Sequence, residues 1–336
     1  MVRARISGIG MHVPERVVTN DELSALLDTS DDWIRKRTGI GERRYADEGV
    51  STSTLAIPAA EAAIADAGLT KGDIDFIIFA TLSPDHHFPG SSSYFQAKMD
   101  MAGVPAMDLR TQCTGFLYGL TVAASFVRTG LYKNVLLVGA EVHSHALDFS
   151  DAGRDVTVLF GDGAGAAVIS VSHAEDPSEL HSFHLHSDGR YASSLCLEVW
   201  DIAAKPYIQH EGQHGVVPPQ ARWPRMNGRE VFRHAVVGMQ QAVQEACQAN
   251  ELGIEDIDLL VPHQANMRIN ELVARGLKLP AEKIVHTIHR YGNTTAASIP
   301  MAMCQAAADG RLQRGMKVML VAFGSGFTWG SVYLTY

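Results

Sequence analysis

The chain is short of cysteine, with four in 336 residues, and aromatics make up only 7%. Cys113, Cys196, Cys247 and Cys304 show no CxxC spacing and no even framework, which excludes a zinc ribbon and a disulfide scaffold. Positive charge is also scarce. Lys and Arg total 28 against 37 Asp and Glu, a formal net charge of -9, and this argues against a general nucleic-acid binder. An acidic partner would need a local basic patch. No run of about 18 uncharged apolar residues occurs, so no transmembrane helix is expected. The opening MVRARISGIGMHVP has no continuous apolar stretch. No signal peptide is therefore expected, and a reducing cytoplasm is the default location. What remains is an ordinary globular balance, 46% hydrophobic and 19% charged. A chain of this length suggests two domains or two halves of one, and it can hold a core without disulfide or metal.

A long internal repeat stands out. Residues 62–80 and 107–141 read as helix, strand after Ile-Asp, small-residue helix and strand; residues 242–264 and 285–324 read the same way. Asp75 lies 60 residues before Val135, and Asp258 lies 60 before Val318. The runs Phe76-Ile-Ile-Phe79, Val135-Leu-Leu-Val138 and Val318-Met-Leu-Val321 suit strands buried on both faces. The alternation predicts an α/β fold with a parallel-type sheet in each half and helices outside. The expected division is residues 1–172, a cap or loop insertion over 173–225, and residues 226–336. The middle segment earns that reading from its polar runs, Pro218-Pro219 and scattered histidines.

Candidate chemistry follows the repeat. Cys113, in Thr111-Gln-Cys-Thr-Gly-Phe116, opens the helix after a strand, where the helix dipole favours thiolate. A lone cysteine is more often a small buried hydrophobe, and Cys196, Cys247 and Cys304 keep that reading. The repeat sets Asn293, in Tyr291-Gly-Asn-Thr-Thr295, opposite Cys113. It also sets His263 at a strand end in Val261-Pro-His-Gln-Ala-Asn266, where open α/β sheets place ligands. Three such positions converging by symmetry predict one central site. Gly161-Asp-Gly-Ala-Gly165 lacks the lysine of a phosphate loop and reads as close packing. His181, His184 and His186 have no acidic or cysteine partner at ligand spacing, so a solvated strand face is expected and no metal. Asp85-His86-His87 stays open between surface and site.

These motifs together resemble β-ketoacyl-acyl carrier protein synthase III, a condensing enzyme of the thiolase fold. The resemblance spans nearly the whole chain. It rests on Asp28-Thr-Ser-Asp-Asp-Trp-Ile34, Arg37-Thr-Gly39, the Cys113 block and Phe160-Gly-Asp-Gly-Ala-Gly165. Pro262-His-Gln-Ala-Asn266, Gly292-Asn-Thr-Thr295 and Phe323-Gly-Ser-Gly-Phe-Thr-Trp-Gly330 complete it. It implies two pseudo-symmetric halves in a five-layered α-β-α-β-α arrangement, and a homodimer. Cys113 would take an acyl group from an acyl-CoA. His263 and Asn293 would promote decarboxylation of malonyl carrier protein, and the backbone N–H groups of Cys113 and Ser325 would hold the oxyanion. The family usually has glycine where Ser325 stands. Coenzyme A thioesters are implied as substrates, with no cofactor.

The same resemblance assigns Trp33 and Arg37 to the coenzyme A mouth. Ala152 stands where the family often has an arginine, with Arg154 nearby. Phe88 matches a gate that crosses the dimer interface, Phe160 a pocket wall, and Phe323 a substrate-binding position. His143 replaces an aliphatic residue of many acetyl-priming relatives. Arg233 and Arg268 fall at basic docking positions; Arg275 and Lys278 extend that patch, since Arg268 and Arg275 are seven apart and share a helix face. The expected reaction is decarboxylative Claisen condensation in fatty-acid initiation. Thr81-Leu-Ser-Pro-Asp-His-His87 and Gln112-Cys113 are also similar to branches outside primary fatty-acid synthesis, which use longer or aromatic primers or another acceptor. Two rivals lie outside the family. A Cys-His-Asn hydrolase leaves the repeat unexplained, and a non-catalytic scaffold leaves the three polar residues unexplained.

Overall fold

The computed structural model describes residues 2–198 and 223–336. The first half begins with β1 (Arg3–His12), then the short pair β2 (Val17–Thr19) and β3 (Glu42–Arg44), which enclose α1 (Asn20–Ser24) and α2 (Asp31–Thr38). It continues through α3 (Thr52–Asp66), β4 (Phe76–Ala80), α4 (Ser91–Lys98), β5 (Ala106–Leu109) and α5 (Gly115–Arg128). It closes with β6 (Asn134–Glu141), α6 (Arg154–Thr157) and β7 (Gly163–Ser172). The second half runs from β8 (Glu179–Ser187) through β9 (Leu195–Cys196), β10 (Arg225–Met226), α7 (Gly228–Ala249) and β11 (Leu259–Pro262). Then follow α8 (Met267–Leu277), α9 (Ile288–Tyr291), α10 (Ser298–Ala308), β12 (Lys317–Gly324) and β13 (Thr328–Thr335).

The two main sheets have matching orders, β1-β7-β6-β4-β5 and β8-β13-β12-β11. A single parallel bridge, Leu260 to Ile284, stands where β5 pairs in the first half. The sheets are mixed rather than parallel. β4 is parallel to β5 and β6, but β7 runs antiparallel between β6 and β1. The second sheet repeats this, with β11 parallel to β12 and β13 antiparallel to β12 and β8. The parallel expectation came from the alternation of strands with helices, which holds among β4, β5 and β6 and between β11 and β12 but not for the edge pairs β1-β7 and β8-β13.

The Ile-Asp spacing has a direct cause. The Asp75 carboxylate accepts from the Lys133 and Asn134 N–H groups at 2.8 and 2.9 Å, and the Asp258 carboxylate accepts from the Lys317 N–H at 2.8 Å. Each aspartate thus fixes the register of two neighbouring strands at their first residues.

Alternate residues of each strand then face opposite layers. Ile78, Val135, Leu137, Val318 and Leu320 join Phe116, Leu120, Ile299 and Met303 in a central core, so α5 and α10 lie between the sheets. Ile77, Phe79, Leu136 and Val138 meet α3 outside the first sheet, while Met319 and Val321 meet α7 and α8 outside the second. The result is five layers, α-β-α-β-α.

The segment expected as an insertion is partly core. Glu179–Ser187 pairs along β13 from Thr328↔Ser187 to Thr335↔Glu179 as the edge of the second sheet. Residues 199–222 of that segment, with Pro218-Pro219, lie outside the described residues. Among the described residues no helix is long and apolar enough to cross a membrane.

Candidate active site

Cys113 sits in a 3-10 turn, Gln112–Thr114, between β5 and α5. Gln112 has φ 47, a left-handed conformation that a non-glycine residue adopts at a cost of about 1–3 kcal/mol. Thr295 has the same φ of 47 and opens the matching turn, Thr295–Ala297, before α10. The two halves therefore superpose Cys113 on Ala296. Asn293 lies three residues earlier than the symmetry reading placed it, because the turn and not the polar residue is what repeats.

The Cys113 side chain is buried, with 7% of the residue exposed. Gly324, at the end of β12, faces it so closely that a Cβ there would be 2.8 Å from the Cys113 Cβ. Burial pushes the thiol up to about 12, and the Glu141 charge pushes the same way; the N–H groups of Ser325 and of Cys113 itself approach the sulfur and oppose this. The thiolate expected from the helix start is thus outweighed. A helix end contributes about 0.3–1 kcal/mol, whereas full burial shifts a thiol by several pK units.

His263 follows β11 and donates its backbone N–H to the Val321 carbonyl at 2.8 Å. Its ring is fully enclosed, and burial lowers its pKa to about 3, which keeps the imidazole neutral. Nδ1 meets the Ser298 hydroxyl at 2.6 Å, while Nε2 is buried without a partner. Ser298 Oγ also accepts from the Gln264 N–H at 3.4 Å, which leaves the hydroxyl proton free to point at Nδ1. Asn293 is placed by a parallel bridge to Phe160, and its Oδ1 accepts from the Thr295 N–H at 2.9 Å. That orientation leaves Nδ2 as its donor end. Gly292 before it has φ 62, and a Cβ there would lie 3.0 Å from the Leu159 carbonyl oxygen, so glycine is required. One turn thus carries Asn293, Ser298 behind His263, and Ala296, whose Cβ would be 3.3 Å from a Cβ on Gly115, two residues past Cys113.

Glu141, Ser298 and Thr295 join the site without having been singled out in the sequence. Glu141 is fully buried at the end of β6 and accepts from Thr81, Leu82 and Ser83. Burial raises its pKa to about 7. Its only sequence signal is an acidic residue closing an apolar strand.

His143 lies with these groups. Its Nε2 is 2.5 Å from Thr295 Oγ1 and 3.9 Å from Glu141 Oε2, and its ring centroid is 4.6 Å from that of Phe160. Burial lowers its pKa to about 3. Phe323 packs instead against Phe327, 4.8 Å between centroids, in the layer beneath α7 and α8. Phe88 is 84% exposed.

Trp33 lies in α2, whose signals are orthodox: Ser30 caps the Trp33 N–H at 3.2 Å, Asp31 and Asp32 open it, and Gly39 ends it at φ 81. Two guanidinium groups lie over its ring, Arg37 at 4.6 Å and Arg154 at 5.0 Å. Arg154 thus stands beside Trp33 although position 152 is an exposed alanine. Arg268 and Arg275 are exposed on α8, Lys278 is exposed at its C-cap, and Arg233 is exposed on α7. Arg268 lies 5.5 Å over the Phe232 ring, which brings the two helices' charges together.

The three histidines of β8 are half-buried, each against a packed neighbour. His181 stacks on Tyr333 at 4.8 Å, His186 stacks on Trp329 at 5.4 Å, and His184 and His186 face Glu245 at 3.5 and 2.6 Å. Imidazoles can cover a helix while keeping a polar end satisfied, which is why a strand this polar still belongs to the sheet. Among the described residues no group of three or more His, Cys, Asp or Glu could hold a metal.

Comparison with known proteins agrees along the whole chain. The family model described as 3-oxoacyl-[acyl-carrier-protein (ACP)] synthase III matches residues 107–189, and the model of its C terminal part matches residues 247–336. The β-ketoacyl-[acyl-carrier-protein] synthase III of Granulibacter bethesdensis is 46% identical over 99% of both chains. The solved 3-oxoacyl-[acyl-carrier-protein] synthase III of Aquifex aeolicus shares 38% identity over 99% of this chain and 100% of that one, with a TM-score of 0.88. The priming β-ketosynthase of the R1128 polyketide pathway shares 29% over 98% and 96%, with a TM-score of 0.87. Identity at this level over the full length, on the same five layers, means that the chain belongs to the β-ketoacyl-acyl carrier protein synthase III family of thiolase-fold acyltransferases.

Proposed function

We propose that the chain condenses an acyl-CoA primer with malonyl-acyl carrier protein, the reaction that initiates fatty-acid synthesis, in the cytoplasm. Cys113 Sγ attacks the primer's thioester carbon, the bond to the coenzyme A sulfur breaks, and the thiol proton leaves with coenzyme A. The tetrahedral oxyanion rests on the N–H groups of Cys113 and Ser325, both of which already face the sulfur. Malonyl carrier protein then loses carbon dioxide. The enolate oxygen accepts from His263 Nε2–H and Asn293 Nδ2–H; the carbanion attacks the acyl carbon, the bond to Cys113 Sγ breaks, and the departing thiolate takes up a proton from solvent as the β-ketoacyl carrier protein leaves. The observation that carries this reading is the neutral, buried His263 with Ser298 on Nδ1 and nothing on Nε2. A neutral imidazole in that tautomer is a donor waiting for an oxygen.

Trp33, with Arg37 and Arg154 over its ring, is where coenzyme A would enter. Arg154 would supply the cation that Ala152 lacks. Exposed Phe88 would be covered by a second copy of the chain, and Arg233, Arg268 and Arg275 would receive the acidic carrier protein. A second reading is favoured by His143: a polar ring beside Phe160 and Thr295 suits a primer other than acetyl, as in a priming ketosynthase outside primary fatty-acid synthesis. The deciding experiment is intact-mass spectrometry of wild type and Cys113→Ala after incubation with a panel of acyl-CoAs. One acyl adduct on wild type and none on the folded variant is expected. An undiminished adduct on Cys113→Ala overturns the assignment.

A further inference from the structure

In the Gly324–Gly326 stretch that faces Cys113, only the middle position has room for a side chain. Gly324 cannot bear one, because its Cβ would be 2.8 Å from the Cys113 Cβ, and Gly326 has φ 136. Ser325, between them, has no positive φ, so its side chain carries no backbone strain. Its N–H faces the Cys113 sulfur. Its hydroxyl points the other way and donates to the Leu195 carbonyl. Leu195 belongs to β9, which pairs with β10 through Leu195↔Met226 and Cys196↔Arg225.

The rest of the loop is held from its far end. Phe327 exchanges backbone hydrogen bonds with Asp188 at 2.9 and 2.8 Å, and Thr328 Oγ1 meets the Ser325 carbonyl at 3.2 Å and Thr114 Oγ1 at 2.8 Å. The residue that presents the oxyanion N–H is thus held at its own carbonyl, one peptide further on, by Thr328. With glycine at 325 the other grip would be missing.

We infer that Ser325 is a positioning residue for acyl transfer: its hydroxyl bond to Leu195 ties the oxyanion-binding N–H to the β9–β10 pair and fixes the aim of that N–H at the Cys113 sulfur. The inference rests on the acyl-transfer reading above. It separates the two half-reactions, because the oxyanion of thioester exchange uses this N–H whereas decarboxylation leans on His263 and Asn293.

The test compares wild type, Ser325→Ala, Ser325→Gly and Ser325→Thr in single-turnover acylation by acetyl-, butyryl- and octanoyl-CoA, and in decarboxylation of malonyl carrier protein. Ser325→Ala and Ser325→Gly should slow acylation by roughly three- to tenfold, the kinetic worth of one neutral hydrogen bond. KM for acyl-CoA and the rate of decarboxylation should be unchanged. Ser325→Thr, which keeps the hydroxyl, should restore acylation. Hydrogen exchange should show faster exchange at residues 325–326 in the alanine variant and unchanged protection in β12. A wild-type acylation rate in Ser325→Ala, or equal loss of acylation and decarboxylation, overturns the inference alone. Absence of any acyl-enzyme on the wild-type chain overturns the reaction and the inference together.

Discussion

With its thiol pushed up to about 12, Cys113 is almost wholly protonated at neutral pH, and its reactive thiolate grows tenfold with each pH unit. Alkylation of Cys113 by iodoacetamide, followed on the peptide that contains it, should climb from about pH 7 to about pH 10 without levelling. A plateau below about pH 8 would mean that the amide N–H groups and the helix start win over burial. Ser298 gives a second residue-scale prediction. Ser298→Ala leaves Nδ1 of a buried imidazole unpaired, a loss of about 1–3 kcal/mol, and releases the tautomer. Condensation should fall by roughly ten- to a hundredfold, while self-acylation of Cys113 changes far less. Equal loss in both steps, read by stopped-flow and mass spectrometry, would make Ser298 a general support of the fold instead.

Among the elements, α8 bears on partner choice. The whole chain is acidic, so an acidic carrier protein must be drawn by local charge. Arg268 and Arg275 are both exposed on this one helix. Reversing both to Glu should raise KM for malonyl carrier protein by about tenfold at low salt and flatten its salt dependence. Acylation by acetyl-CoA should hold, and unchanged carrier-protein kinetics would move the docking surface elsewhere. The strands show what local pattern can and cannot say. β4, β6 and β12 were legible as continuous apolar runs because both their faces meet core. β8 was not, since Tyr333, Trp329 and Glu245, which half-cover His181, His184 and His186, come from other elements of the fold.

At the scale of the whole molecule, Phe88 is the most exposed large hydrophobic side chain among the described residues. A second copy of the chain covering Phe88, now 84% exposed, would take that apolar surface out of water. Light scattering at micromolar concentration should report twice the chain mass, and Phe88→Asp should shift it toward the monomer with lower condensation activity. A fully active monomeric wild type would contradict a shared gate. The same scale explains the repeat: the aspartates Asp75 and Asp258 lock equivalent strand pairs, and α5 and α10 then pack side by side between the sheets.

The sequence by itself determined the repeat and the strands buried on both faces, because these rest on spacing, and its motifs nominated Cys113, His263 and Asn293 as candidates through their family resemblance. Only the tertiary structure decided the direction of β7 and β13, the sheet role of β8, and the register that sets Ala296 opposite Cys113. It also decided the charge states. A helix start favours a thiolate, but complete burial beside Glu141 does not, and burial is a property of everything packed around the residue. Glu141, Ser298 and the Ser325 tether to Leu195 were invisible for the same reason: each acts through a partner that only folding brings near, 59, 35 and 130 residues away.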